Sequence, residues 1–293
     1  MRRKEFHMAN RALLDSIDYA NGTIRLDGKE YKLLDSNFPT IDPDNPYELS
    51  SEETLVVERL TSAFTNCEKL QRHMNLLLKK GSLYKVYNNN LLYHGCIPLN
   101  EDGSFKAVDI YGKKYKGKAL YEVLEAYVRK AFVAIDENER EKGKDILWFI
   151  WSSPGSPLFG KQKMATFERY FLAEKETHEE KKNPYYRLLE DETVINRIMR
   201  EFGLEEGCAH IVNGHVPVHH AAGESPIKCN GKVLVIDGGF SKAYQKETGI
   251  AGYTLIYNSY GLILAAHDPF ESTEAAIEKE RDIHSDSVIV KRT

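Results

Sequence analysis

Two short apolar runs, "LLYHG" (91–95) and "HIVNGH" (210–215), each lead to a histidine beside a glycine, and a tract of helical periodicity lies between them. In that tract, 117–133, Leu120, Val123, Leu124, Tyr127, Val128 and Phe132 recur at helical spacing and form one apolar face. Apolar runs as short as the first two suit buried strands better than helices. A chain that interleaves such strands with amphipathic helices belongs to the α/β class.

Other segments fill in this pattern. Residues 21–35 read as a hairpin turning at Asp27-Gly28. Ser50 and Glu53 stand at capping-box spacing before a helical tract expected to run to Lys79-Lys80-Gly81. A second hairpin is expected over 82–95, around Asn88-Asn89-Asn90, and a helix over about 191–202, with Val194, Ile198, Met199 and Phe202 inward and Gly203 just past its end. "KVLVIDGG" (232–239) is a further short strand, and 252–268 reads as a strand pair turning at Asn258–Gly261. The charged run "AEKETHEEKKN" (173–183) reads as a solvated helix face, with His178 on its surface. The first residues look helical without a start signal, and the last, "DSVIVKRT", look like a strand with no closing element. Both ends read as cuts in a longer protein.

Composition removes several function classes. The chain has 293 residues, ample for a core, with a net charge of −4 and a pI near 6.2, so no basic field points to nucleic acid. It holds no apolar run of membrane-spanning length and no signal-peptide pattern. Its four cysteines, Cys67, Cys96, Cys208 and Cys229, form no C-x-x-C pair, and a reduced cytoplasmic setting is expected.

The chemistry starts from His94 and His215. Each follows a strand-like run, each has glycine beside it, and each is followed within a few residues by proline (Pro98, Pro217). In α/β folds, ligand sites collect beyond the carboxyl ends of strands. Two imidazoles held there by stiff loops are candidate metal ligands, although a lone strand-end histidine is more often a hydrogen-bonded structural residue. His219 and His220 fall in a loop-like stretch with no motif, and His73 on a helix surface.

"NLLYHGCIPLNEDG", "LFGKQKMATFERYF", "NGHVPV" and "VIDGGFSKAYQKETGIAGYTLIYNSYG" together resemble the C-terminal half of a class III fructose-1,6-bisphosphatase, a family similar to the calcineurin-like metallophosphoesterases. The resemblance covers essentially the whole chain. It implies the C-terminal half of a metallophosphoesterase β-sandwich flanked by helices (81–293), behind a hairpin and helical extension (1–80). It also implies a phosphoric monoester hydrolase that removes the 1-phosphate of fructose 1,6-bisphosphate in gluconeogenesis, with metal-activated water and Mn²⁺ in a two-metal site.

Carried over residue by residue, His94 and His215 are metal ligands. The N-terminal motifs G-D-x-H, G-D-x-x-D-R-G and G-N-H-[DE] have no counterpart, since the sequence contains no Gly-Asp dipeptide. No catalytic residue is therefore assigned within the chain, and the expected partner is the missing N-terminal half or a second copy. For substrate contacts, Lys242, Tyr244 and Lys246 lie in a segment (237–252) between two strand candidates. The region 151–171 resembles the one that donates a phosphate-binding arginine, and offers Lys161, Lys163 and Arg169. The alternative function is a non-catalytic module that binds a sugar phosphate or a partner on the phosphatase scaffold.

Overall fold

The computed structural model describes residues 6, 12–205, 207–238, 241–280 and 285–292. β1 (Ile17–Asp18), β2 (Thr23–Leu26) and β3 (Lys29–Lys32) form an antiparallel sheet. The hairpin expected over 21–35 is its β2–β3 pair. Asp27 and Gly28 turn it with φ of 49° and 82°, the two left-handed residues that a tight type I′ turn needs. Ile17, Ile24 and Leu33 pack on Leu172, Phe167 and Phe171, so this sheet is seated on the segment lying between the two histidines in sequence.

The capping box forms as expected at the start of α1 (Ser51–Thr65), with Ser50 and Glu53 each accepting from the other's backbone N–H. The helical tract is nevertheless two helices. α1 ends at Asn66, and α2 (Glu68–Lys80) restarts after the extended Cys67 and stops at Gly81. Asn66 closes the first helix, its N–H donating to Ser62 O at 2.9 Å and its side-chain amide to Ser62 Oγ. Neither helix buries a residue, so no packing enforces continuity.

β4 (Tyr84–Tyr87) and β5 (Asn90–Tyr93) are the second expected hairpin, turned by left-handed Asn88 and Asn89. β6 (Val108–Ile110) and β7 (Lys113–Tyr115) make a small ribbon before α3 (Gly117–Val133), which spans the expected tract. Leu120 and Leu124 are buried, and so is Tyr121, while Phe132 is exposed at the helix end. α3 packs on α4 (Glu137–Ser152), after which come α5 (Thr166–Phe171) and α6 (Glu192–Glu201). α6 buries Val194, Ile195, Ile198 and Met199 and is capped by Asp191, with Gly203 left-handed beyond it.

The charged run 173–183 is not a helix face. It makes one 3₁₀ turn, Lys175–His178, and then runs extended beside Lys161. Glu180 is drawn to Lys161 and to the backbone of Ala165, while Lys175, Glu176, Glu179, Lys181 and Lys182 stay exposed, as a solvated run should.

β8 (His210–Asn213), β9 (Ile227–Lys228) and β10 (Val233–Val235) complete a five-stranded sheet in the order β4-β5-β8-β10-β9. Its centre, β5, β8 and β10, is parallel, and both edges are antiparallel. Leu91, Ile211 and Val233 lie in register on one face, packed with Tyr121 of α3 and Ile195 and Ile198 of α6. Val212 and Leu234 point the other way, onto a second sheet. The segment 237–252 between the two strand candidates carries α7 (Lys242–Thr248), ended by left-handed Gly249. β11 (Gly252–Asn258) and β12 (Gly261–His267) form the expected pair, and after α8 (Thr273–Glu278) the last run adds β13 (Ser285–Arg292). Leu262 and Val290 of this antiparallel sheet meet Val212 and Leu234. The class is mixed α/β, as the sequence pattern implies. Among the described residues no helix is long and apolar enough to cross a membrane.

Candidate functional site

β5 and β8 are parallel neighbours, so the residues leaving their carboxyl ends emerge side by side. His94 leaves the first strand, and Gly214 and His215 leave the second. Gly214 N–H donates to His94 O at 2.9 Å, which ties the two loops together at the turn. Gly95 is required by space: a Cβ there would lie 2.3 Å from Pro157 O. His215 itself holds a left-handed backbone, φ 71°.

The rings meet. Nδ1 of His215 lies 3.2 Å from Nε2 of His94, with centroids 5.0 Å apart and planes inclined at 72°. Nε2 of His215 lies 3.1 Å from Phe159 O, an acceptor only, so in the neutral ring the proton sits on Nε2 and the lone pair on Nδ1. That lone pair faces His94. Burial lowers the proton affinity of His215, and the neighbouring His94 and Lys161 lower it further; the bond to Phe159 O and the charge of Asp237 oppose this. Neutral imidazole is the form that binds a metal. Two imidazole nitrogens, each about 2.1 Å from one ion and near a right angle, stand about 3 Å apart, so the observed separation suits a shared ion.

A buried polar network holds the loops from beneath. Asn213 Nδ2 donates to Tyr185 OH at 3.0 Å and to Gly95 O at 3.3 Å. Tyr185 OH lies 2.6 Å from Tyr93 OH, and Tyr121 OH donates to Cys96 O at 2.9 Å. Burial pushes the phenols of Tyr93, Tyr121 and Tyr185 up, so all three stay neutral. It pushes the Cys96 thiol up to about 12, which makes it no thiolate ligand despite its place beside His94. Sequence reasoning missed this network, and the asparagine closing the buried strand β8 was the available signal.

Asp237 was also missed as a site residue. It follows β10, the third parallel strand, and its carboxylate lies against Gly214. No set of three histidine, cysteine or acidic side chains converges in metal-holding geometry among the described residues. The site in hand is thus two imidazoles with a carboxylate nearby.

Two clefts flank the imidazoles. One, about 880 Å³, is lined by His94, Asp237, Leu92 and Val212. The other, about 750 Å³, is lined by His215, Lys161, Arg169, Lys182 and Tyr244. Of the three substrate candidates on α7, Tyr244 borders this second cleft, whereas Lys242 and Lys246 do not line it. Of the three cations between the histidines, Lys163 is engaged by Glu168 and Thr177 O, while Lys161 and Arg169 reach the cleft. His178 is a half-buried turn residue, its Nε2 3.1 Å from Leu172 O, rather than a helix-surface residue. His219 and His220 are exposed in and beside a 3₁₀ turn, and His73 is exposed on α2.

Comparison with known proteins gives a consistent result. A profile described as Firmicute fructose-1,6-bisphosphatase matches residues 1–293. Proteins named fructose-1,6-bisphosphatase class 3 are 56% identical in Alkaliphilus metalliredigens and 57% in Clostridium acetobutylicum, over 99% and 100% of this chain and 44% of each relative. One from Listeria monocytogenes is 55% identical over 99% of this chain and 45% of its own length. The chain therefore spans less than half the length of the curated relatives it matches. No solved structure gives a significant match.

Proposed function

The chain belongs to the Firmicute fructose-1,6-bisphosphatase family, and from that premise we propose that it supplies the imidazole side of a metal-dependent sugar-bisphosphatase site. The carrying observation is the facing pair His94 Nε2 and His215 Nδ1, with the second nitrogen of His215 fixed by Phe159 O. The proposed substrate is fructose 1,6-bisphosphate and the proposed metal Mn²⁺, in a cytoplasmic setting. In this reading residues 81–293 are the C-terminal half of a metallophosphoesterase sandwich and 1–80 an extension. His94 and His215 would hold the ion. The chemistry such an ion supplies is polarisation of the phosphoryl group and activation of water. The chain's own part is to keep His215 neutral, to bring the two ring nitrogens within 3.2 Å of each other, and to hold the two loops rigid through Asn213 and Tyr185.

The test is a Mn²⁺ titration of the chain by calorimetry, with His94→Ala and His215→Ala beside the parent. Each substitution is expected to weaken binding by about tenfold or more, since each removes one of two nitrogen ligands. Unchanged binding in both variants refutes the site. Phosphate release from fructose 1,6-bisphosphate, measured with the polypeptide spanning the rest of a relative, separates an enzyme from a non-catalytic sugar-phosphate module.

A further inference from the structure

The cleft on the outer side of His215 has features that the metal pair does not use. Lys161 and Arg169 come from different segments, the first from the strand-like stretch after Phe159 and the second from α5. They converge on one carboxylate. Lys161 Nζ lies 2.5 Å from Glu180 Oε2, and Arg169 lies 3.8 Å from Glu180 Oε1, which also accepts from Ala165 N–H at 2.9 Å. Glu180 is thereby fixed by backbone and holds two cations together with one positive charge in excess. Arg169 anchors one nitrogen on His178 O and keeps more than half of its side chain exposed.

The link to the metal pair is short. Phe159 accepts from His215, and two residues later Lys161 lines the cleft. A group seated there lies next to the imidazoles but on the side facing away from His94. Tyr244 adds a hydroxyl from α7, and the exposed Lys182 a further cation. The acids Glu179 and Glu247 also border the cleft, both exposed. A volume of about 750 Å³ suffices for a sugar phosphate.

We propose that this cleft seats the non-reacting phosphoryl group of the sugar bisphosphate, on Lys161 and Arg169 with the Tyr244 hydroxyl. Cationic side chains fixed in place by Glu180 favour a dianionic group and make the second phosphate a requirement for good binding, so these residues set specificity. The identity of the ligand as a sugar bisphosphate rests on the phosphatase reading above; the anion site itself does not.

The experiment follows the amide signals of ¹⁵N-labelled chain in EDTA as inorganic phosphate, and then fructose 6-phosphate, is added. Both are expected to shift Gly160, Lys161, Lys182 and Tyr244. Lys161→Ala and Arg169→Ala should each weaken phosphate by about tenfold or more, as loss of a charge-assisted contact does. Lys161→Arg should retain binding, and Lys163→Ala should not change it. Unshifted amides elsewhere report that each variant is folded. No shift in the cleft, or an affinity indifferent to Lys161 and Arg169, overturns the inference. Failure of the phosphatase reading shows instead in the Mn²⁺ titration, which Lys161→Ala is expected to leave intact.

Discussion

At the residue scale, Asn213 decides whether the two imidazoles stay in register. Its amide joins Gly95 O, just past His94, to Tyr185 OH, while its own backbone leads into Gly214 and His215. Asn213→Ala would leave Tyr185 OH and Gly95 O without that donor in a buried place. The expected loss is about 1–3 kcal/mol of stability, read by urea denaturation, together with weaker Mn²⁺ binding. A variant as stable as the parent would show that the amide holds nothing. His94 and His215 were legible as candidates in the sequence because each ends a strand-like run beside a glycine and the resemblance to the phosphatase family singles out the same two. Asn213, Tyr185 and Asp237 were not, because each reads locally as an ordinary polar or aromatic residue. Their roles exist only once β5, β8 and β10 lie side by side.

At the element scale, the α3–α4 pair depends on one close approach and one charge cluster. A Cβ at Gly143 of α4 would lie 2.4 Å from Ala131 N and 2.6 Å from Tyr127 O on α3. Both are backbone atoms that cannot step aside, so Gly143→Ala is expected to cost about 1–3 kcal/mol or more by forcing the helices apart. The melting temperature measures it. Glu139 bridges Lys130 of α3 and Lys142 of α4 at 2.6 and 2.9 Å, and their hydrogen bonds hold its carboxyl at about 2, below the ordinary 4.5. Because the folded value is the lower one, the contribution is present above pH 4.5 and is lost as pH falls from there towards 2. The difference in melting temperature between parent and Glu139→Gln should therefore narrow steadily below pH 4.5 and stay constant above it. The helical periodicity of 117–133 was readable because burial repeats along one face. The run 173–183 misled because Glu180 is bonded across the chain, to Lys161 and the backbone of Ala165, partners that no local pattern reveals.

At the scale of the whole molecule, the histidine pair and the uncovered apolar surface point the same way. Leu92 sits on β5, inside the five-stranded sheet, yet is 40% exposed, and it lines the cleft that ends at His94. α1 and α2 bury no residue while Leu60, Phe64 and Leu77 stand in solvent. Surface of this kind is normally covered by another element or chain. The described residues bring two candidate metal ligands together, whereas a catalytic two-metal clamp needs several more, and the relatives carry more than as much chain again. The long family-specific stretches made the kinship readable from the sequence, but the strand order and the exposed side of β5 depend on contacts far apart in the chain. The expected outcome is that this chain alone releases no phosphate from fructose 1,6-bisphosphate. Mixed with a polypeptide spanning the rest of the Clostridium acetobutylicum relative, it should do so with Mn²⁺, and Leu92 should lose solvent exposure. Leu92→Lys, in the cleft that His94 also lines, should abolish that activity by blocking assembly. Sedimentation of the mixture distinguishes a failure to assemble from a failure of chemistry. Full activity with Lys at position 92 would place the missing ligands somewhere other than over this face.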